Sequence, residues 1–245
     1  MINRNSIEAV DSSVFSKVFR RPLYDSYCYA NIPGTLEQAL TGETKLSTLS
    51  NDTLFDSKKA YSTVVLFMVD AFGWRFFDRY QDQYPTLKRF ITEGKVSKIT
   101  SQFPSTTAAH VTAIHTGQRV DESGVFEWFF YEPTIDDMIS PLPFAVAGEE
   151  SGSLARLGVT PDKLYPNTNM YQRYATKGVE THVFQSATFT PSPYGNVVTN
   201  GVTHTHPFTD FGSALSEIST LINKSDNQKR YIYCYYGEID SVGHD

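Results

Sequence analysis

Residues 63–73 read TVVLFMVDAFG. From Val64 to Val69 every side chain is apolar and three are β-branched, with no polar residue at alternate positions. A run of that kind predicts a strand buried on both faces, as in a parallel sheet with helices on either side. It stops at Asp70. In such sheets functional groups gather beyond the carboxyl ends of the strands, which is where this carboxylate falls. On its own Asp70 reads either as a helix N-cap or as a metal ligand, since carboxylate oxygens suit Zn²⁺, Mg²⁺ and Mn²⁺.

Outward from this stretch, Arg230–Tyr236 (RYIYCYY) is another buried strand that ends just before Gly237-Glu238-Ile239-Asp240. Helices are predicted over 74–80, 85–93 (closed by Gly94), 106–116 (closed by Gly117), 166–178 and 210–223, with strands over 95–101 and 181–185. The alternation predicts an α/β fold with a mostly parallel central sheet flanked by helices. Residues 124–131, GVFEWFFY, read as an aromatic strand or strand-like loop. Phe126, Trp128, Phe129, Phe130 and Tyr131 are expected in the core, with nucleobase stacking as the alternative. Residues 133–165, rich in Pro, Gly and Ser, are expected as a loop insertion. Residues 1–60 predict an irregular amino-terminal arm with short helices that covers a sheet edge, and 61–245 the domain proper.

Composition narrows the function classes. The chain has 245 residues, 40% hydrophobic and 20% charged, so a packed core is expected. A formal charge of -6 with no basic run argues against a nucleic-acid polymer as partner and leaves a small phosphate ester open. No stretch has the length needed to span a bilayer, and the amino terminus lacks an apolar signal region, which predicts a cytoplasmic protein without a membrane partner. Cys28 and Cys234 form no CxxC pair, and Cys234 is expected as a buried core thiol. No GxGxxG follows the first strand, which sets a dehydrogenase aside.

Two further segments carry chemistry. Phe103–His110 reads FPSTTAAH, a Pro-bearing turn and a hydroxyl run leading into a helix. A Ser or Thr there can cap the helix. The same position faces free N–H groups and the positive end of the helix dipole, where phosphate binds readily. A neutral hydroxyl is a poor nucleophile until a metal lowers its pKa. Asp240–His244 reads DSVGH, and a helical turn would bring Asp240 and His244 to one face as a carboxylate–imidazole ligand pair. His204 and His206, one residue apart, are a further possible metal pair on a strand.

Taken together, VVLFMVDAFGW, FPSTTAAHVTAIHTG, ESGVFEWFFYEP and YYGEIDSVGHD, in this order over residues 64–244, resemble the type I phosphodiesterase/nucleotide pyrophosphatase family of the alkaline phosphatase superfamily. The resemblance implies an alkaline phosphatase-like fold and two divalent ions, Zn²⁺ with Mn²⁺ or Mg²⁺ as alternatives. It implies Thr107 as nucleophile and ligand, Asp70 on one metal, Asp240 and His244 on the other, and a phosphothreonine intermediate in the hydrolysis of a phosphodiester or nucleotide pyrophosphate. Ser105 and Thr106 fall out of register with the family threonine. His110 stands where many members carry an asparagine that binds a phosphate oxygen, and would donate the same hydrogen bond. Ser123 replaces a frequent histidine. The family's later Asp-His pair and final His have no counterpart here, so the chain is expected to be an amino-terminal portion that holds metal weakly by itself. A phosphomonoesterase, phosphonate hydrolase or phosphotransferase on the same site, or a non-catalytic binding module, are the alternatives.

Overall fold

The computed structural model describes residues 1–54 and 60–244; residues 55–59, within the expected arm, and Asp245 lie outside the described residues. The elements run β1 (Ile2–Asn3), α1 (Arg4–Ser12), α2 (Ile32–Thr41), β2 (Thr63–Val69), α3 (Trp74–Tyr80), α4 (Pro85–Glu93), β3 (Val96–Ser97), α5 (Thr107–Thr116) and α6 (Val120–Ser123). They continue with β4 (Phe130–Glu132), β5 (Asp137–Ser140), β6 (Ala145–Val146), α7 (Met170–Thr176), β7 (Val179–Ser186), α8 (Pro193–Val198), β8 (His204–Phe208), α9 (Phe211–Ile222), β9 (Lys229–Tyr236) and α10 (Glu238–His244).

The central sheet has four strands in the order β2-β9-β7-β8, and every neighbouring pair is parallel. Side chains alternate across it with period two. On β9, Tyr231 and Tyr233 enter the larger core with Val64, Leu66 and Met68 of β2 and with residues of α5, α7 and α8. Ile232 and Cys234 point the other way, against Ala214, Ile218 and Leu221 of α9. The result is helix–sheet–helix layering, as the alternation of elements predicts.

Among the described residues before 61, the expected short helices are α1 and α2, and α2 packs into this body. Leu40 of α2 is fully buried in the larger core, and Cys28 bridges to Thr100 in parallel. Glu37 of α2, also without solvent exposure, is gripped by Arg173 of α7 at 2.7 Å.

Four expectations change. The predicted strand over 95–101 is only Val96–Ser97, paired with Ile2–Asn3, because its main-chain partner is a two-residue strand. The expected loop over 133–165 contains β5 and β6, which form a small antiparallel sheet with β4. α8 appears where no element was expected. Finally, β2 is an edge strand rather than one buried on both faces: α9 covers Val65, while Phe67 and Val69 remain exposed. No helix among the described residues is long and apolar enough to cross a membrane.

Candidate active site

The site grows from the alternation of β2. Val64, Leu66 and Met68 lie on the face toward α5, so the next residue in that series, Asp70, projects to the same side just past the strand end. Its N–H still bonds to Tyr236 O at 2.9 Å, which extends the ladder by one step and fixes the carboxylate at the sheet's carboxyl edge. Ala71 follows with φ 57°, turning the chain sharply away, and its N–H donates to Asp70 Oδ1 at 3.0 Å. Asp70 thus receives the first N–H of the turn, while no side chain caps α3.

Opposite, the hydroxyl run separates into distinct roles. Thr106 is the N-cap of α5: its Oγ1 accepts from Ala109 N at 3.2 Å and donates to Phe126 O at 2.8 Å. Thr107 is the first helical residue, and its Oγ1 donates to Asp70 Oδ2 at 3.0 Å. The Thr106 hydroxyl is thus committed to the cap and a carbonyl, whereas that of Thr107 rests on a carboxylate at the helix N-terminus. The early N–H groups of a helix have no intrahelical acceptor, so they surround Thr107 with donors.

Tyr235 completes the arrangement, and sequence reasoning did not find it. It shares a face with Tyr231 and Tyr233 but lies one residue from the strand end, where the core opens onto the site. Its hydroxyl donates to the same Asp70 Oδ2 at 2.7 Å. Burial, the Asp70 bond and the negative charges of Asp70 and Asp240 all push its pKa up, so the phenol stays protonated. The signal available in the sequence was the break in apolarity after Cys234.

Asp240 and His244 face the same side of α10, with Asp240 Oδ2 and His244 Nε2 3.6 Å apart and His244 exposed. His110 does not stand as a free donor. Its Nδ1 bonds Thr106 O at 2.6 Å and its Nε2 accepts from Gln102 N at 3.3 Å, so both ring nitrogens are used inside the turn. Burial pulls its pKa down, against opposing pulls from the Thr106 carbonyl and Asp70. The residue therefore braces the turn before α5 rather than offering an N–H to a phosphate oxygen.

The aromatic loop also departs from expectation. Phe126 stacks on Phe130 at 4.5 Å, but Phe126, Trp128 and Phe129, which precede the short strand 130–132, and Tyr131 within it are exposed rather than core. Through Phe126 O this loop is tied directly to Thr106. Away from the site, Glu180, His182 and His204 bring ligand atoms within 4.8 Å of one another, and burial is the main cause that lowers His182 to about 4. His115, buried against Tyr171 and Tyr233, is a core histidine pushed down to about 3 by burial.

Comparison with known proteins follows the same residues. The family described as type I phosphodiesterase / nucleotide pyrophosphatase matches residues 64–245. Among solved structures, murine ectonucleotide pyrophosphatase / phosphodiesterase 5 matches with a TM-score of 0.51 and 17% identity, over 74% of this chain and 45% of that one. The chain therefore spans about half the length of that relative, and the likeness is one of fold. No curated protein matches the sequence.

Proposed function

The chain belongs to the type I phosphodiesterase/nucleotide pyrophosphatase family, and from that premise we propose that it carries the nucleophile side of a metal-dependent phosphodiester or nucleotide pyrophosphate hydrolase, with Thr107 attacking phosphorus. The observation that carries the proposal is the 3.0 Å contact between Thr107 Oγ1 and Asp70 Oδ2 at the amino terminus of α5.

The donor set suits divalent ions of the Zn²⁺ type. Asp70 and Thr107 offer two converging oxygens, and Asp240 and His244 offer a carboxylate and an imidazole 3.6 Å apart. Metal–ligand bonds of about 2.0–2.2 Å in tetrahedral geometry set ligand atoms roughly 3.3–3.6 Å apart. Such ions, when bound, supply the positive charge that lowers the hydroxyl pKa and stabilises a leaving oxygen. The rest is done by the chain. Asp70 receives the Thr107 hydrogen and fixes the direction of the Oγ1 lone pairs, away from the carboxylate. The first N–H groups of α5 meet the equatorial phosphoryl oxygens, a preorganised arrangement that gains strength as charge develops. Tyr235 holds Asp70 in place. A covalent phosphothreonine then divides the reaction into attack and hydrolysis.

The exposed aromatic loop supports a diester over a monoester. Phe126, Trp128 and Phe129 lie on a segment bonded to the cap of the nucleophile's own helix, where a planar leaving group would rest against them.

The test is hydrolysis of bis-p-nitrophenyl phosphate by the protein in its natural full length, ranked by kcat/KM against p-nitrophenyl phosphate. Activity is expected with the diester, to vanish with EDTA, and to be lost in Thr107→Ala. Turnover that survives either treatment sinks the proposal, and a preference for the monoester replaces the diesterase reading with a phosphatase.

A further inference from the structure

Three histidines and a glutamate meet on the α9 face of the sheet, far from Asp70. The parallel register pairs His182 with His204 and Phe184 with His206, so neighbouring strands present all three imidazoles on one face. Glu180, two residues before His182, shares that face. Glu180 Oε1 is 3.2 Å from His204 Nε2 and 3.7 Å from His182 Nε2. The group lies at the opening of the strands: Glu180 is in register with Arg230 at the start of β9, six residues before Tyr236. At about 3.3 Å per residue that is roughly 20 Å from the active-site end.

Outer residues fix where the protons sit. His206 Nδ1 lies 2.7 Å from Glu217 Oε1, and an ionised carboxylate only accepts, so Nδ1 carries the hydrogen. With His206 neutral, its Nε2 is a lone pair, and His182 Nδ1 donates to it at 3.0 Å. His182 Nε2 is then a lone pair as well. It is buried, in a residue only 2% exposed, with no hydrogen-bond partner among the described residues. It faces Glu180 Oε1, another acceptor. Arg230 Nε occupies the second oxygen, Glu180 Oε2, at 2.8 Å, and leaves Oε1 to the cluster. Glu180 Oε1 is met by His204 Nε2 at 3.2 Å, so the unpaired atom is His182 Nε2, and a buried lone pair without a donor is costly unless a cation meets it.

We propose that Glu180, His182 and His204 form a zinc-binding site independent of the active site, with a fourth position open to water beside the half-exposed His204. One carboxylate and two imidazoles suit Zn²⁺, and the 3.2 and 3.7 Å separations flank the spacing that tetrahedral coordination sets, roughly 3.3–3.6 Å. Glu217 and His206 form the outer carboxylate–histidine chain that holds His182 in its ligating tautomer. A bound ion would clasp edge strand β8 to β7, in addition to their main-chain ladder. This inference does not rest on the phosphodiesterase reading.

The test is titration with Zn²⁺ alone, followed by calorimetry and by Tm, in chains carrying Asp240→Asn and His244→Gln so that the active-site ligands are disabled. This parent is expected to bind a single Zn²⁺ and to gain Tm. Adding His204→Gln, which removes a side chain 48% exposed, is expected to abolish both effects with the far-ultraviolet spectrum unchanged. Adding Glu217→Gln instead is expected to weaken binding about 10–100-fold. A parent that binds no Zn²⁺, or a His204→Gln chain that binds as tightly as its parent, overturns the proposal.

Discussion

Asp70 Oδ2 accepts two hydroxyls at once, from Thr107 at 3.0 Å and Tyr235 at 2.7 Å. Tyr235 thereby bears on Asp70 by fixing the direction of its carboxylate, and on the proposed reading it would orient a metal ligand from behind. Tyr235→Phe keeps the ring in its place and removes only that bond. The expected outcome is a fall of about 10–100-fold in divalent-metal affinity or kcat, with KM little changed. Unaltered metal affinity and kcat would leave Tyr235 as packing alone. At this scale the sequence was informative where chemistry and position coincide. Asp70 ends an apolar run, and Thr107 begins a helix after a turn. It was uninformative where a side chain's bonds depend on partners distant in the chain. Tyr235 reads as one more aromatic of a buried strand, and His110 as a free donor, until Gln102 and Thr106 are seen to occupy both its nitrogens.

Among the elements, α2 and α7 are joined by an ion pair that the sequence could not announce, since Glu37 and Arg173 are 136 residues apart. Glu37 also accepts from Thr44 at 2.5 Å and lies 3.5 Å from Lys177. Burial works to raise its pKa, but the Arg173 bond, the Thr44 bond and the two positive charges hold it below the ordinary 4.5. A carboxylate depressed in the folded state contributes stability that is complete above its unfolded value and is lost as pH falls through the folded one. Glu37→Gln should lower unfolding free energy by about 1–3 kcal/mol at neutral pH. It should also flatten the loss of stability below pH 4.5, as read by urea titration at several pH values. Identical acid slopes in the two proteins would contradict this assignment. The same distance argument explains which elements were legible. β2, α3, α4, α9 and β9 carry their own periodicity or apolar run, and their observed spans match the reading to within about two residues. β8 reads HTHPF, polar and interrupted by Pro207. It is a strand because β7 offers it a ladder on an exposed edge, where a residue without an N–H is tolerated.

For the molecule as a whole, the order β2-β9-β7-β8 gathers Asp70 and Asp240 at the carboxyl ends of two adjacent strands, from segments 170 residues apart in the chain. The parallel α/β class was readable from the alternation of elements, while strand order, set by which faces the helices cover, was not. β9 has one further consequence. It meets Glu180 through Arg230 at its start and Asp70 through Tyr235 near its end. A rigid rod about 17 Å long separates these contacts, with no hydrogen-bond partner common to both among the described residues. The two ends should therefore behave as separate thermodynamic compartments. In a double-mutant cycle, Arg230→Gln and Tyr235→Phe are expected to change unfolding free energy additively, to within about 0.5 kcal/mol. A larger coupling energy would mean that β9 transmits strain along its length. Additivity would mean that evolution can retune the mouth of this sheet without disturbing its root.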